Sequence, residues 1–173
     1  MIETRQFELD PDSDIDPDAG ACWRVWREMR GAAELPAWSA FDWFAFPITL
    51  LPYFVVVDVI DGGADFRYRF WGSAHSRIFH RDYTGASVAD VRPAEVADGL
   101  ITQYRRIMEI GGPGLFVFEV VDTARHRVPI RESSLRLPFT LAGGAIGRIV
   151  SFSDNRRQAD DFAEFFAKAS GAG

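Results

Sequence analysis

The chain has 173 residues, of which 14% are aromatic, and a formal net charge of −6 at pH 7. This length predicts one domain with terminal extensions and a hydrophobic core of its own. The negative charge argues against nucleic acid as a partner, since nucleic-acid binding needs a positive surface. No apolar run is long enough to span a membrane and the N-terminus lacks an apolar signal segment, so the sequence predicts a cytoplasmic protein without a membrane partner.

The N-terminal residues 1–15 are rich in aspartate and predict a solvated acidic tail. Asp16 and Pro17 then predict the N-cap and first turn of a helix within segment 16–34. One face of this helix is apolar, with spacing i, i+3, i+4 and i+7, and carries Cys22, Val25, Trp26 and Met29. Cys22 is the only cysteine, and its place on that face predicts a buried structural thiol.

Two strands are predicted next. Residues 35–52 contain three prolines, which predict short helical turns instead of a long helix. The apolar run 53–59 predicts a central strand covered on both faces. A glycine turn leads into a second strand, 65–71, whose alternation predicts one common face for three rings, Phe66, Tyr68 and Phe70.

The second half of the chain predicts a helical insert followed by three strands. Residues 72–92 have the pattern of short helices and turns, and Pro93 begins the longest internal helix, which ends near Ile110. Further strands are predicted over 115–121, 127–138 and 145–153. A last helix, in the C-terminal segment 155–173, has an apolar stripe that includes Phe162, Phe165 and Phe166.

Several segments together resemble a known family. They are the strand at 66–70, Trp71-Gly72, the Leu51-Pro52 lead-in, the segment Arg81-Asp82-Tyr83-Thr84-Gly85, and the strand Leu135-Arg136-Leu137-Pro138. In order and spacing they resemble the alphaproteobacterial single-domain PAS family of the PAS_5 type, over residues 35–154. The chain has His80 where glycine is expected and Ser73 where threonine is usual. The resemblance implies an α+β PAS fold with a five-stranded antiparallel sheet of order 2-1-5-4-3, a helical insert between strands 2 and 3, and a helix at each end.

The same resemblance implies sensing and not catalysis. The flanks are too short for an output domain, so we expect a standalone bacterial signalling module that acts through contact with a signalling protein. The alternative is a small isomerase or dehydratase with an NTF2-like fold, in which Asp82 near His80 and Tyr83 would act as an acid/base group. If the chain is instead a PAS module, Asp82 only hydrogen-bonds backbone amides in a turn that ends at Gly85.

If the resemblance holds, a set of apolar and aromatic side chains converges between sheet and helices, where such domains enclose ligands. This set is Phe70, Ile78, Phe79, Tyr83, Tyr104, Met108 and Phe118. We expect a small apolar pocket that could bind a small molecule. The sequence identifies no cofactor: residues 94–110 contain no histidine for haem, and Cys22 lies far from the insert where a covalent flavin would need it. The other candidate ligands, His75, His80 and His126, lack metal-ligand spacing.

The two apolar helix stripes lie outside the expected PAS core. Each must cover either the domain's own sheet or a second copy of the chain. We therefore expect a homodimer, with an interface formed by Val25, Trp26, Met29, Phe162, Phe165 and Phe166.

Overall fold

A computed structural model describes residues 2–10, 12–122 and 129–169, with the side chain of Asp122 left out; His126 lies outside these ranges. The strands are β1 (Ile2–Leu9), β2 (Phe54–Ile60), β3 (Asp65–Trp71), β4 (Gly114–Asp122), β5 (Ile130–Thr140) and β6 (Ile146–Asp154). The helices are α1 (Pro17–Arg30), α2 (Ser73–Phe79), α3 (Ala94–Ile110) and α4 (Ala159–Ala169). Short 3₁₀ turns occupy Trp38–Ala40, Trp43–Ala45, Ile48–Tyr53, Val88–Asp90 and Arg156–Gln158. No helix in the described ranges is both long enough and apolar enough to cross a membrane.

The six strands form one antiparallel sheet in the order β1-β4-β5-β6-β2-β3. Without β1, the remaining strands have the predicted order 2-1-5-4-3, with α2 and α3 inserted between the second and third of them. The predicted α+β fold is therefore confirmed, with one strand more than expected.

The extra strand corrects the prediction of a solvated tail. Residues Ile2–Leu9 pair with β4 along their whole length, from Ile2 opposite Asp122 to Leu9 opposite Leu115. The sequence pattern missed this strand because the face that packs toward α3 is largely polar. Gln6 on that face donates a hydrogen bond from Nε2 to the Gly99 carbonyl at 3.0 Å. The hydrogen-bond partner of Gln6 is thus a backbone group far along the chain, and a local sequence pattern cannot predict such a contact.

Both faces of the sheet are covered. The inner face packs against α2, α3 and α4, and the outer face packs against α1 and the 3₁₀ turns between residues 38 and 53. Asp16 caps α1 as predicted, accepting hydrogen bonds from the amides of Asp18 and Ala19. Trp26 fixes α1 to the outer face, because its Nε1 donates to the Pro138 carbonyl at 2.9 Å. Cys22 is fully buried there, as predicted, and burial raises the pKa of its thiol to about 12.

The chain itself covers most of the side chains that were expected at a dimer interface. Trp26 is buried on the outer face, and Phe162, Phe165 and Phe166 are buried against the inner core. Phe166 stacks on Phe79 of α2 with ring centroids 4.0 Å apart. These four rings therefore leave no exposed surface for a second copy to cover, and the expected interface is wrong for them. Val25 and Met29 are half-buried in the outer cluster.

Candidate functional site

Two neighbouring strands carry a row of polar side chains on the inner face of the sheet. Leu135 and Leu137 face the outer core, so the residues between them face inward. We call the inward row the polar floor; its members are Glu132, Ser134, Arg136, Ser151 and Ser153. Arg136 stands directly opposite Ser151 and Ser134 opposite Ser153, so the row crosses from β5 to β6. Four members of the floor are buried beneath the helices and Glu132, at its edge, is half-buried.

Arg136 is the central member of the polar floor. Its side chain is 1% exposed. The guanidinium donates from Nε and Nη2 to Oε1 of Gln103, at 3.0 and 2.5 Å, and from Nη1 to Oγ of Ser151 at 2.8 Å. It also lies over the ring of Tyr104, 4.2 Å from the centroid. All of these partners are neutral, and no carboxylate among the described side chains forms an ion pair with Arg136.

Glu132 is the second charged member of the polar floor. Its Oε1 accepts a hydrogen bond from Ser134 and its Oε2 accepts one from Nδ2 of Asn155, both at 3.2 Å. Ser134 also shares a 2.8 Å hydrogen bond with Ser153. Asn155 is buried and stands between β6 and the turn that leads into α4. The floor is therefore connected by side-chain hydrogen bonds to the base of the C-terminal helix.

A small cavity of about 20 Å³ lies over the floor. It is lined by Val55, Tyr68, Trp71, His75, Phe79, Leu100, Tyr104, Glu132, Arg136 and Ser153. This volume holds about one water-sized group. Trp71 presents an unsatisfied donor, because its buried Nε1 has no hydrogen-bond partner, and Nε2 of Gln103 is likewise without one. The cavity is small, and its aromatic and apolar lining is joined by the charged Arg136 and Glu132, which the sequence did not predict.

Two titratable groups of the lining are neutral near pH 7. Burial lowers the pKa of His75, although nearby Glu132 and the carbonyl of Tyr53 act in the opposite direction. His75 contacts that carbonyl through Nε2 at 3.1 Å, as a donor. Burial also raises the pKa of the Tyr68 phenol well above its ordinary value, and Tyr104 contributes in the same direction. The formal charges in the lining are thus the positive Arg136 and the negative Glu132.

Six of the seven predicted pocket residues lie in or against the inner core: Ile78, Phe79, Tyr83, Tyr104 and Phe118 are buried there, and Met108 packs on it. Phe79 and Tyr104 line the cavity. The predicted inward position of Phe70 is wrong, since its ring packs on the outer face against Trp43, with ring centroids 4.7 Å apart.

The cause of this error is a β-bulge. Val57 pairs with Tyr68 and Val56 with Phe70, so Arg69 is an extra residue between two successive pairs. The bulge reverses the alternation, and Trp71 takes the inward position that Phe70 was predicted to have.

The residues that the sequence did not suggest are mainly Arg136, Glu132 and Gln103. Arginine between two leucines in a strand usually indicates a solvent-exposed position. The alternation in Leu135-Arg136-Leu137 was visible, but it could not show that α3 covers the second face. Gln103 lies on α3 itself, where a single amide among apolar positions gave no signal of its partner on β5.

Asp82 has the predicted turn role. Its Oδ1 accepts the Thr84 amide at 2.8 Å, and hydrogen bonds from the side chain and backbone of Thr84 lower its pKa. Gly85 has φ +84°, a left-handed conformation that glycine adopts without strain. His80, in the position where glycine was expected, also has left-handed dihedrals, φ 54° and ψ 23°. Its Nε2 donates to the Ala163 carbonyl of α4 at 2.9 Å, so a side chain replaces glycine and joins α2 to α4.

No family model matches this chain, and no curated protein matches it. Among solved structures, one similar chain is described as "Structure of an RNA-binding Light-Oxygen-Voltage Receptor", with 13% identity and a TM-score of 0.47. The match covers 99% of this chain and 44% of that chain, so this chain spans less than half of the receptor's length. The assignment of the fold rests on the sheet order, and no functional statement follows from this likeness.

Proposed function

We propose that this chain is a PAS-type sensory module that binds a small molecule over the polar floor and reports it through contact with another protein. The observation that carries the proposal is the buried Arg136, which has neutral partners and lies beside a cavity that Trp71 lines with an unsatisfied donor. Burying a charge costs several kcal/mol, and replacing buried charges by apolar side chains is often neutral or stabilising. A core selected for stability alone would place apolar residues here.

A route from the cavity to the protein surface supports the sensory role. Glu132 lines the cavity and accepts a hydrogen bond from Asn155, the residue that precedes the turn into α4. A ligand that contacts the Glu132 carboxylate would either compete with Asn155 for its oxygens or hold the carboxylate more firmly in its hydrogen bond with Asn155. We expect either effect to change how firmly α4 is held on α2, where Phe166 stacks on Phe79. A signalling protein that contacts α4 would then bind more tightly or more weakly when the ligand is present.

The enzyme alternative has less support. Apart from β1, two strands precede the helical insert and three follow it, which is the arrangement that favours a PAS domain. The carboxyl group of Asp82 is exposed and engaged with the Thr84 amide, so it is not directed at an enclosed substrate site. A turnover that disappears in Asp82→Asn while the melting temperature stays unchanged would revive this alternative.

Native mass spectrometry of freshly purified protein is the first test. We expect a non-covalent adduct of a small molecule that is lost on denaturation. Hydrogen exchange should then be slower or faster in Ala159–Ala169 after ligand addition, and the difference should vanish in Asn155→Ala. The control is Thr102→Ala, because the Thr102 hydroxyl bonds only within α3, to the Asp98 carbonyl at 2.8 Å. Absence of an adduct together with unchanged exchange in α4 for every compound tested would refute the proposal.

The homodimer stays a prediction, now without the four buried rings as its interface. Sedimentation velocity tests it directly. A monomer at tens of micromolar would contradict it without affecting the proposed ligand site.

A further inference from the structure

We infer that the ligand is a small zwitterion with an ammonium and a carboxylate group, of the size of glycine, held between Arg136 and Glu132. This inference rests on the proposed ligand site and adds the chemical class. Its basis is that two side chains of opposite charge line one cavity without forming an ion pair with each other.

The end of the cavity near Arg136 offers hydrogen-bond donors. A guanidinium group has five N–H bonds. Three of them are used, two toward Gln103 and one toward Ser151, which leaves two without an acceptor among the described residues. Trp71 lines the same cavity and its Nε1 also has no partner. Planar bidentate donors favour a carboxylate, so a carboxylate is the group that fits this end.

The end near Glu132 offers acceptors. Arg136 and Glu132 are four residues apart on one face of β5, which separates their backbones by about 13 Å along the strand. The Glu132 oxygens accept single hydrogen bonds from Ser134 and Asn155, and each carboxylate oxygen can accept more than one. The Glu132 carboxylate would repel a ligand that carries only negative charge, whereas it attracts an ammonium group. The rings of Tyr68 and Phe79 in the lining also suit a cation.

The size of the cavity limits the ligand. About 20 Å³ accommodates a single small group, and the half-buried Leu100 is the lining side chain whose movement would admit the rest of a molecule as small as glycine. Longer side chains on the ligand would collide with the enclosed rings. We therefore expect glycine to bind more tightly than larger amino acids.

Three matched probes test the charge pattern: glycine has both charges, acetate has only the carboxylate, and methylammonium has only the ammonium group. Isothermal titration calorimetry and melting curves of the wild-type chain should show binding of glycine at least tenfold tighter than either of the others. Equal binding of glycine and acetate would overturn the zwitterion and leave an anion site. No binding of glycine would overturn the inference outright.

Variants locate the site. Glu132→Gln, which keeps the size of the side chain, should remove the preference for glycine over acetate. Trp71→Phe, which removes the unpartnered N–H, should weaken glycine binding about tenfold, the value of one hydrogen bond. Tyr83→Phe is the control, since this buried ring contacts Trp71 but does not line the cavity. Full glycine affinity in both site variants would refute the assignment.

The failure of this inference is distinguishable from failure of the proposed function. A co-purified molecule without an ammonium and carboxylate pair would refute the zwitterion while the sensory module stands. Absence of any adduct, with no effect of any compound on α4, would refute both.

Discussion

The buried pair of Arg136 and Gln103 allows a quantitative test of how the polar floor is stabilised. Gln103→Leu keeps the volume of the side chain but removes the acceptor of two charge-assisted hydrogen bonds, at 3.0 and 2.5 Å. Such bonds contribute about 1.5–3 kcal/mol each, and breaking a buried charged contact typically costs about 3–5 kcal/mol. We therefore expect Gln103→Leu to lower the free energy of unfolding by about 3–5 kcal/mol.

The reverse change has a smaller expected cost. Arg136→Met leaves a buried Gln103 amide with neither end paired, which costs about 1–3 kcal/mol, and it loses the contact with the Tyr104 ring. Removal of the buried charge offsets part of this loss. The double variant has neither a buried cation nor an orphaned amide. Its destabilisation should therefore be smaller than the sum of the two single effects by about 2–4 kcal/mol.

Urea unfolding followed by circular dichroism measures all four free energies. The control cycle combines Gln103→Leu with Trp26→Phe, which lies on the opposite face of the sheet, and there the effects should add within about 0.5 kcal/mol. Additive behaviour of Arg136→Met and Gln103→Leu would refute the reasoning, because it would mean that the guanidinium and the amide do not depend on one another for their hydrogen bonds.

Three further predictions concern the rest of the inner and outer cores. Burial lowers the pKa of His75 below the ordinary value near 6.5, so the unfolded chain binds more protons and stability falls as the pH drops below about 6.5. His75→Gln should therefore make the melting temperature depend less on pH between pH 7 and 5. Parallel plots of melting temperature against pH for the wild type and the variant would contradict this. Trp26→Phe loses the bond to the Pro138 carbonyl and should cost about 1–2 kcal/mol in urea unfolding, while Trp26→Asp should unfold the chain and not merely separate a dimer. Gly72→Ala should cost about 1–3 kcal/mol, since its Cβ would lie 2.2 Å from the Pro52 carbonyl oxygen; unchanged stability would show that this approach is not tight.

Local patterns in the sequence were sufficient for most of the elements. The aspartate and proline at residues 16 and 17 predicted the start of α1, and the apolar spacing behind them predicted the burial of Cys22. These signals are local because caps and helix faces depend on neighbours three or four residues away. The order of the five shared strands came from a resemblance, since pairing partners cannot be read from periodicity alone.

Other features depended on contacts between distant residues. The bulge at Arg69 reversed the faces of Phe70 and Trp71, and it arises from the register between β2 and β3. The strand β1 exists because β4 offers it a pairing edge along eight residue pairs. Neither effect has a signature within the segment that it alters.

The sequence by itself determined the positions of helices and most strands, because these follow from spacing, caps and turn residues within short stretches of chain. Only the tertiary structure decided that Arg136 is buried and that the half-buried Glu132 lines the same cavity. Arg136 alternates with leucines in a way that indicates an exposed strand face, and that face is buried because α3, from a segment about 30 residues earlier, lies across it. Burial of a second sheet face is a property of the packing between elements, and it is this packing that turned a row of ordinary polar residues into the candidate site.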